Sequence, residues 1–107
     1  NTYEIYTSDA DGKNVKRLTH NNVMDIRPAV SPDGRRIVFT SVRDGNRELY
    51  LMDIDGKNLR RLTHNDERDD YASWHPDGRR IIYVGERGGR FDLYLLDVPA
   101  ATKTARK

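Results

Sequence analysis

His20 and His64 both close the tetrapeptide Arg-Leu-Thr-His, and each is followed by asparagine. Two histidines at matched places could converge on a metal ion, with Asp25 or Asp69 as an oxygen ligand, because imidazole and carboxylate suit zinc and its neighbours. A site is usually built where a repeat is broken, however, and these histidines obey theirs, so each reads as fixing its own turn. His75 is a departure: it stands before Pro76-Asp77-Gly78 where Ser31 stands before Pro32-Asp33-Gly34, and beside Trp74 where Val30 precedes the serine. It reads as a hydrogen-bonded turn residue. Asp9-Ala10-Asp11-Gly12 and Asp53-Ile54-Asp55-Gly56 suggest calcium, but an EF-hand loop needs glycine at its sixth position and glutamate at its twelfth. Counting from Asp9 gives Asn14 and His20, and counting from Asp53 gives Asn58 and His64. Tight hairpins explain both segments.

Nucleophilic and phosphate chemistry find no better footing. Gly-x-Ser-x-Gly is absent, and no serine has an evident histidine and carboxylate partner. Gly85-Glu86-Arg87-Gly88-Gly89-Arg90 lacks the Lys-Ser/Thr ending of a phosphate loop and reads as a mobile turn. There are no cysteines, hence no disulfide frame and no thiolate zinc site. No cofactor, no metal and no catalytic residue are expected, and the chain does not read as an enzyme. What remains is a surface of mixed charge at loop tips: Arg43 and Arg47 from one turn, His64 to Asp70 from a connection, and Glu86, Arg87 and Arg90 from a third loop. Such tips on a rigid scaffold suit protein or peptide recognition. The candidate binding residues are Arg43, Arg47, His64, Arg68, Tyr71, Arg87 and Arg90.

The elements that must position them follow from a repeat. Ser31-Pro32-Asp33-Gly34-Arg35-Arg36-Ile37 returns as His75-Pro76-Asp77-Gly78-Arg79-Arg80-Ile81, 44 residues later. The same offset maps Asp11-Gly12-Lys13-Asn14 onto Asp55-Gly56-Lys57-Asn58 and aligns Tyr6, Tyr50 and Tyr94. A period in the forties with several short strands per unit marks a propeller or array. In the middle unit a first strand spans about Arg27 to Val30. The second, Arg36 to Thr40, is almost continuously apolar, as befits a strand covered on both faces. The third runs Glu48 to Asp53 into the Asp55-Gly56 hairpin signal, and the more polar fourth covers Asn58 to Thr63. The expected fold is all-β: a β-propeller fragment of about two and a half four-stranded antiparallel blades. Its parts are residues 1–21 (strands three and four of a partial blade), 22–65 (a complete blade), 66–98 (a three-stranded last blade) and 99–107 (a disordered basic tail).

Pro-Asp-Gly after a short strand, an isoleucine-centred strand, Asp-Gly-Asn, Leu-Tyr-Leu-Met-Asp, Asp-Gly and Arg-Leu-Thr-His, in that order and over residues 3 to 98, resemble the TolB-type β-propeller repeat. The resemblance implies the C-terminal part of a larger, six-bladed ring. It also implies a bacterial periplasmic or cell-surface setting with an envelope protein as partner. The same repeat occurs in propellers of serine peptidases and of lyases acting on pectin fragments. The alternative reading is therefore an accessory propeller that gates or positions substrate for a hydrolase or lyase.

Charge and ends complete the expectation. The formal charge of +2 comes with arginine pairs spread through the repeat and carboxylates close by, which does not give the one-sided basic face of a nucleic-acid binder. No apolar run approaches the roughly 20 residues of a membrane-spanning helix, and no membrane insertion is expected. The sequence opens at Asn1 without a signal-like segment, as in a mature or excised piece. In the last unit Pro99-Ala100 stands where the middle unit has Asp55-Gly56, so the chain leaves the sheet before a fourth strand. An arc of a ring exposes an apolar blade face at each end. Head-to-tail association into a trimer is the simplest completion, with Val15 to Thr19 of one copy completing the last blade of another.

Overall fold

In the computed structural model, which describes residues 3–20, 22–64 and 67–100, the Pro-Asp-Gly segments are turns closed by their own polar groups. The Gly34 amide donates to the Ser31 carbonyl at 2.8 Å, and Gly78 to His75 at 2.9 Å. Both glycines are left-handed, at φ +75° and +71°, a conformation that glycine adopts without steric cost. The Ser31 hydroxyl accepts from the Arg36 amide at 3.0 Å and donates to Asp33 at 2.6 Å. That bond, more than any other, holds the Asp33 carboxyl below the usual range. In the second turn His75 Nδ1 accepts the Asp77 amide at 3.0 Å, so the histidine does the serine's work. The Arg79 amide is the main cause that keeps Asp77 low.

Among the described residues nine strands form: β1 (Tyr6–Thr7), β2 (Lys16–Arg17), β3 (Asp25–Val30), β4 (Arg36–Ser41), β5 (Glu48–Asp53), β6 (Arg60–Arg61), β7 (Asp69–Trp74), β8 (Arg80–Arg87) and β9 (Arg90–Asp97). They form three antiparallel sheets in the orders β1-β2, β3-β4-β5-β6 and β7-β8-β9. The molecule is an all-β propeller fragment: one four-stranded blade between a two-stranded and a three-stranded one. The near-continuous apolar run of β4 is explained by burial on both faces. Ile37, Phe39, Tyr50 and Met52 pack with Ile5 and Leu18 of the first sheet, while Val38, Leu49 and Leu51 pack with Ile81, Tyr83 and Val98 of the third.

The first and fourth strands of the repeat differ from expectation, each for a local reason. β3 begins at Asp25 rather than Arg27, and its register with β4 breaks between Ile26 and Ala29. There Arg27 is left-handed at φ +53°, and Pro28 has no amide to donate. β7 repeats the break at Tyr71, φ +57°, with Ala72 in proline's place, so the left-handed residue rather than the proline makes the bulge. The fourth strands are shorter than the patterns suggest, Arg60–Arg61 and Lys16–Arg17. Beyond them a side chain takes over the pairing. Thr63 Oγ1 accepts the Leu49 amide at 2.9 Å and donates to Glu48 at 2.5 Å, and Thr19 does the same for Ile5 and Glu4. From residue 101 on, the expected basic tail lies outside the described residues.

Candidate functional site

Strands β3 and β7 touch, whereas among the described residues β6 meets only β5. The sheets therefore converge at their first strands and splay at their fourth, and the bulged positions lie on this inner rim. A left-handed backbone at a non-glycine residue costs on the order of 1 kcal/mol or more, and it persists where the surroundings impose it. Here it sets Arg27 against Tyr71: the guanidinium carbon lies 4.2 Å from the ring centroid, within cation–π range.

Asp70 ties the rim together. One carboxylate oxygen accepts from Arg27 at 3.2 Å and from Arg47 at 2.9 Å, and the other accepts from the Thr40 hydroxyl at 2.7 Å. A single buried carboxylate of the third sheet thus holds two arginines of the second. Beside it Arg68 pairs with Glu86 at 3.2 Å and lies over Phe91 at 5.6 Å. Arg47, Arg68, Asp70, Tyr71, Val84 and Phe91 line a cleft of about 210 Å³. Tyr71 and Phe91 are each 57 % exposed there. Arg27 and Arg47 pair with Asp70 and Arg68 with Glu86, beside two open aromatic rings.

The candidate residues from the sequence fall into three groups. Arg47, Arg68 and Tyr71 come together in this cleft. Arg43 and Arg87, one repeat apart, are engaged inside their own sheets. Arg43 pairs with Asp25 at 3.0 Å over the Phe39 and Tyr50 rings, and Arg87 with Asp69 at 2.9 Å over Tyr94. Asp25 and Asp69 are buried, and a buried carboxylate left unpaired costs about 3–5 kcal/mol. The bond to Asp69 raises the Arg87 pKa above its ordinary value. His64 and Arg90 are exposed, His64 just after Thr63 and Arg90 at the head of β9. Asn65 and Asp66 lie outside the described residues.

The neighbouring loops are braced to one another. Glu67 accepts the Gly88 amide at 2.5 Å and the Gly89 amide at 3.3 Å, which holds the turn expected to be mobile. Asn46 reaches the Glu67 carbonyl at 2.8 Å. His20 and His64 do not meet in a ligand set: among the described residues no three His, Cys, Asp or Glu side chains are grouped to hold a metal ion. Sequence reasoning passed over Arg27, Thr40 and Phe91. Nothing in the linear sequence marks Arg27, whose left-handed backbone and contact with Tyr71 appear only in the fold.

Residues 2–107 match the family of the Tricorn protease N-terminal beta propeller domain. The chain belongs to this propeller family. Within it the likeness to TolB proteins is marked. A protein TolB homolog of Chlorobaculum tepidum is 48% identical over 42 residues, 39% of this chain and 10% of that protein. The structure of putative TolB from Agrobacterium tumefaciens superposes with a TM-score of 0.77 at 30% identity, over 88% of this chain and 37% of the other. TolB from Acinetobacter baumannii gives a TM-score of 0.77 at 29% identity, over 89% and 24%. This propeller segment therefore spans little more than a third of the TolB chains it matches, or less.

Proposed function

We propose that the chain is a non-catalytic protein-interaction segment of a TolB-like β-propeller, acting in the bacterial periplasm or at the cell surface on an envelope protein or a peptide from one. The observation that carries this reading is the cleft at the inner rim. Exposed Tyr71 and Phe91 sit beside Arg47 and Arg68 on a framework braced by Asp70 and Glu67. Aromatic and arginine side chains are the residue types that dominate protein-binding hot spots. The arginines Arg47 and Arg68 favour a partner that brings a carboxylate, and the rings favour an apolar or aromatic neighbour beside it. The likeness to proteins named TolB supports the envelope setting. A non-catalytic role fits the polar groups of the turns: the Ser31 and Ser41 hydroxyls are both engaged in local bonds, to Asp33 and to Arg43.

The test uses the immobilised chain and an envelope extract from a bacterium that carries TolB, with retained proteins identified by mass spectrometry. Arg68→Glu and Tyr71→Asn are the variants, asparagine being tolerant of the left-handed backbone at position 71. An envelope protein retained by the parent chain and lost from both variants, at unchanged thermal unfolding, supports the reading. Equal retention by all three chains, or retention of none, refutes it.

A further inference from the structure

The loops between the second and third strands of the two larger blades close in different ways. In the middle blade Gly45 donates its amide to the Val42 carbonyl at 2.9 Å. Asp44 carries that loop's carboxylate, which accepts the Tyr50 hydroxyl and pairs with Arg61 at 3.6 Å. One repeat on, Gly88-Gly89 stands in place of Asp44-Gly45, so the tip has lost its carboxylate. Both glycines are left-handed, at φ +60° and +76°, the angles of a two-residue hairpin turn. A carboxylate comes from elsewhere. Glu67, in the connection before β7, receives the Gly88 amide at 2.5 Å on one oxygen and the Gly89 amide at 3.3 Å on the other. Its equivalent one repeat earlier is Val23. Donor and acceptor thus both depart from the repeat, at one contact. So do their neighbours: Arg68 follows Glu67 where Met24 follows Val23, and Arg90 follows Gly89 where Asn46 follows Gly45. Both glycines and both arginines are exposed.

We propose that the Gly88 and Gly89 amides are a binding site for an acidic side chain of a protein partner, and that Glu67 fills it in the free chain as an internal stand-in. Successive backbone amides that converge on one anion make a concave site for negative charge. A hydrogen bond to a charged oxygen is about twice as strong as a neutral one, so the two amides select a carboxylate over a carbonyl. Arg68 and Arg90, next along the chain to Glu67 and to Gly89, supply the positive potential that draws an acidic segment. The exchange conserves hydrogen bonds: two amides pass from one carboxylate to another, and that of Glu67 passes to water. Asn46 meanwhile holds the Glu67 carbonyl at 2.8 Å, so the side chain leaves without its backbone. This site rests on the reading of the chain as a protein-binding segment, and it places an acidic residue of the partner at the hairpin, apart from the cleft.

The experiment follows the Gly88 and Gly89 amide resonances by proton–nitrogen correlation NMR, at constant ionic strength, in the parent chain and in Glu67→Ala. The probes are sodium acetate and tetraglutamate, with tetraglutamine as the uncharged control. In Glu67→Ala both amide protons should lose the downfield shift of the parent and regain it, saturably, with acetate. Tetraglutamate should bind the variant about tenfold more tightly than the parent, because a site filled most of the time by its own stand-in loses apparent affinity in proportion. Tetraglutamine should move neither resonance. Acetate that leaves both resonances of the variant in place overturns the proposal. So does equal affinity of the two chains for tetraglutamate, or a response confined to other residues. The parent needs no substitution: at saturating tetraglutamate its Glu67 carboxyl carbon should shift as it leaves the amides, and an unmoved carboxyl overturns the exchange even if the variant fails to fold. No envelope protein enters the titration, so its failure strikes the hairpin site alone, whereas failure of the extract experiment strikes the protein-binding reading.

Discussion

At the scale of the residue, the threonine of Arg-Leu-Thr does the work of a backbone. Thr63, buried beside β5, gives its hydroxyl oxygen to the Leu49 amide and its proton to Glu48. Thr63→Val keeps the shape and removes both bonds, leaving a buried amide unsatisfied at a cost of about 1–3 kcal/mol. Urea unfolding should show that loss, and a change within a few tenths would refute the role. Tyrosines carry a second residue-scale consequence. Burial, then the hydrogen bond to Asp44 and its charge, push the Tyr50 hydroxyl far above its ordinary value, against the opposing charges of Arg61 and Arg43. Burial, followed by the Asp69 charge, raises Tyr83 as well. A phenol whose native pKa exceeds its unfolded value of about 10 gives its full stabilisation below that pH. The stabilisation is lost as the pH rises towards the native pKa. The urea midpoint should therefore fall with pH above about 10, and less steeply in Tyr50→Phe. Parallel profiles for the two chains would remove Tyr50 as a source of the fall.

At the scale of the element, the turns were legible and the bulges were not. Asp-Gly and Pro-Asp-Gly announce themselves because glycine and proline are chosen for backbone angles that few residues share. The left-handed Arg27 and Tyr71 carry no such mark, since their conformation is imposed by the contact between two blades. For the same reason Arg43 and Arg87 read as loop tips, although their partners Asp25 and Asp69 lie on a strand across the sheet. Cleft formation likewise needed Asp70 of one blade to reach Arg27 and Arg47 of another, a proximity that no linear spacing states. Asn58 is the intermediate case. It is left-handed at φ +57° and donates to Asp53 at 2.6 Å, as Asn14 does to Asp9 at 2.5 Å. Asn58→Gly keeps the backbone and loses the bond, whereas Asn58→Ala loses both. The alanine variant should be the less stable, by about 1 kcal/mol, in the same urea assay. An alanine variant as stable as the glycine one would mean that this hairpin tolerates another backbone.

At the scale of the whole molecule, the repeat supplies its own control, because equivalent residues sit in unequal surroundings. Leu49 and Leu93 share a sequence position, a strand and a side-chain direction, yet one is sealed and the other stands open. Leu49→Ala removes a fully enclosed side chain, for which large-to-small core changes cost about 2–5 kcal/mol. Leu93→Ala in an isolated chain touches little, and exposed substitutions fall within about 0.5 kcal/mol. The gap between the two measures how far the propeller remains an open arc. Should the face be covered, by a copy of this chain or by further blades, Leu93 acquires the surroundings of Leu49 and its alanine variant becomes as costly. Denaturation of both variants at low and high protein concentration separates the cases. An isolated arc keeps the gap at every concentration, whereas an associating one closes it as the concentration rises. A gap already absent in a dilute, monomeric chain would mean that the last blade folds its open face against something within the same polypeptide.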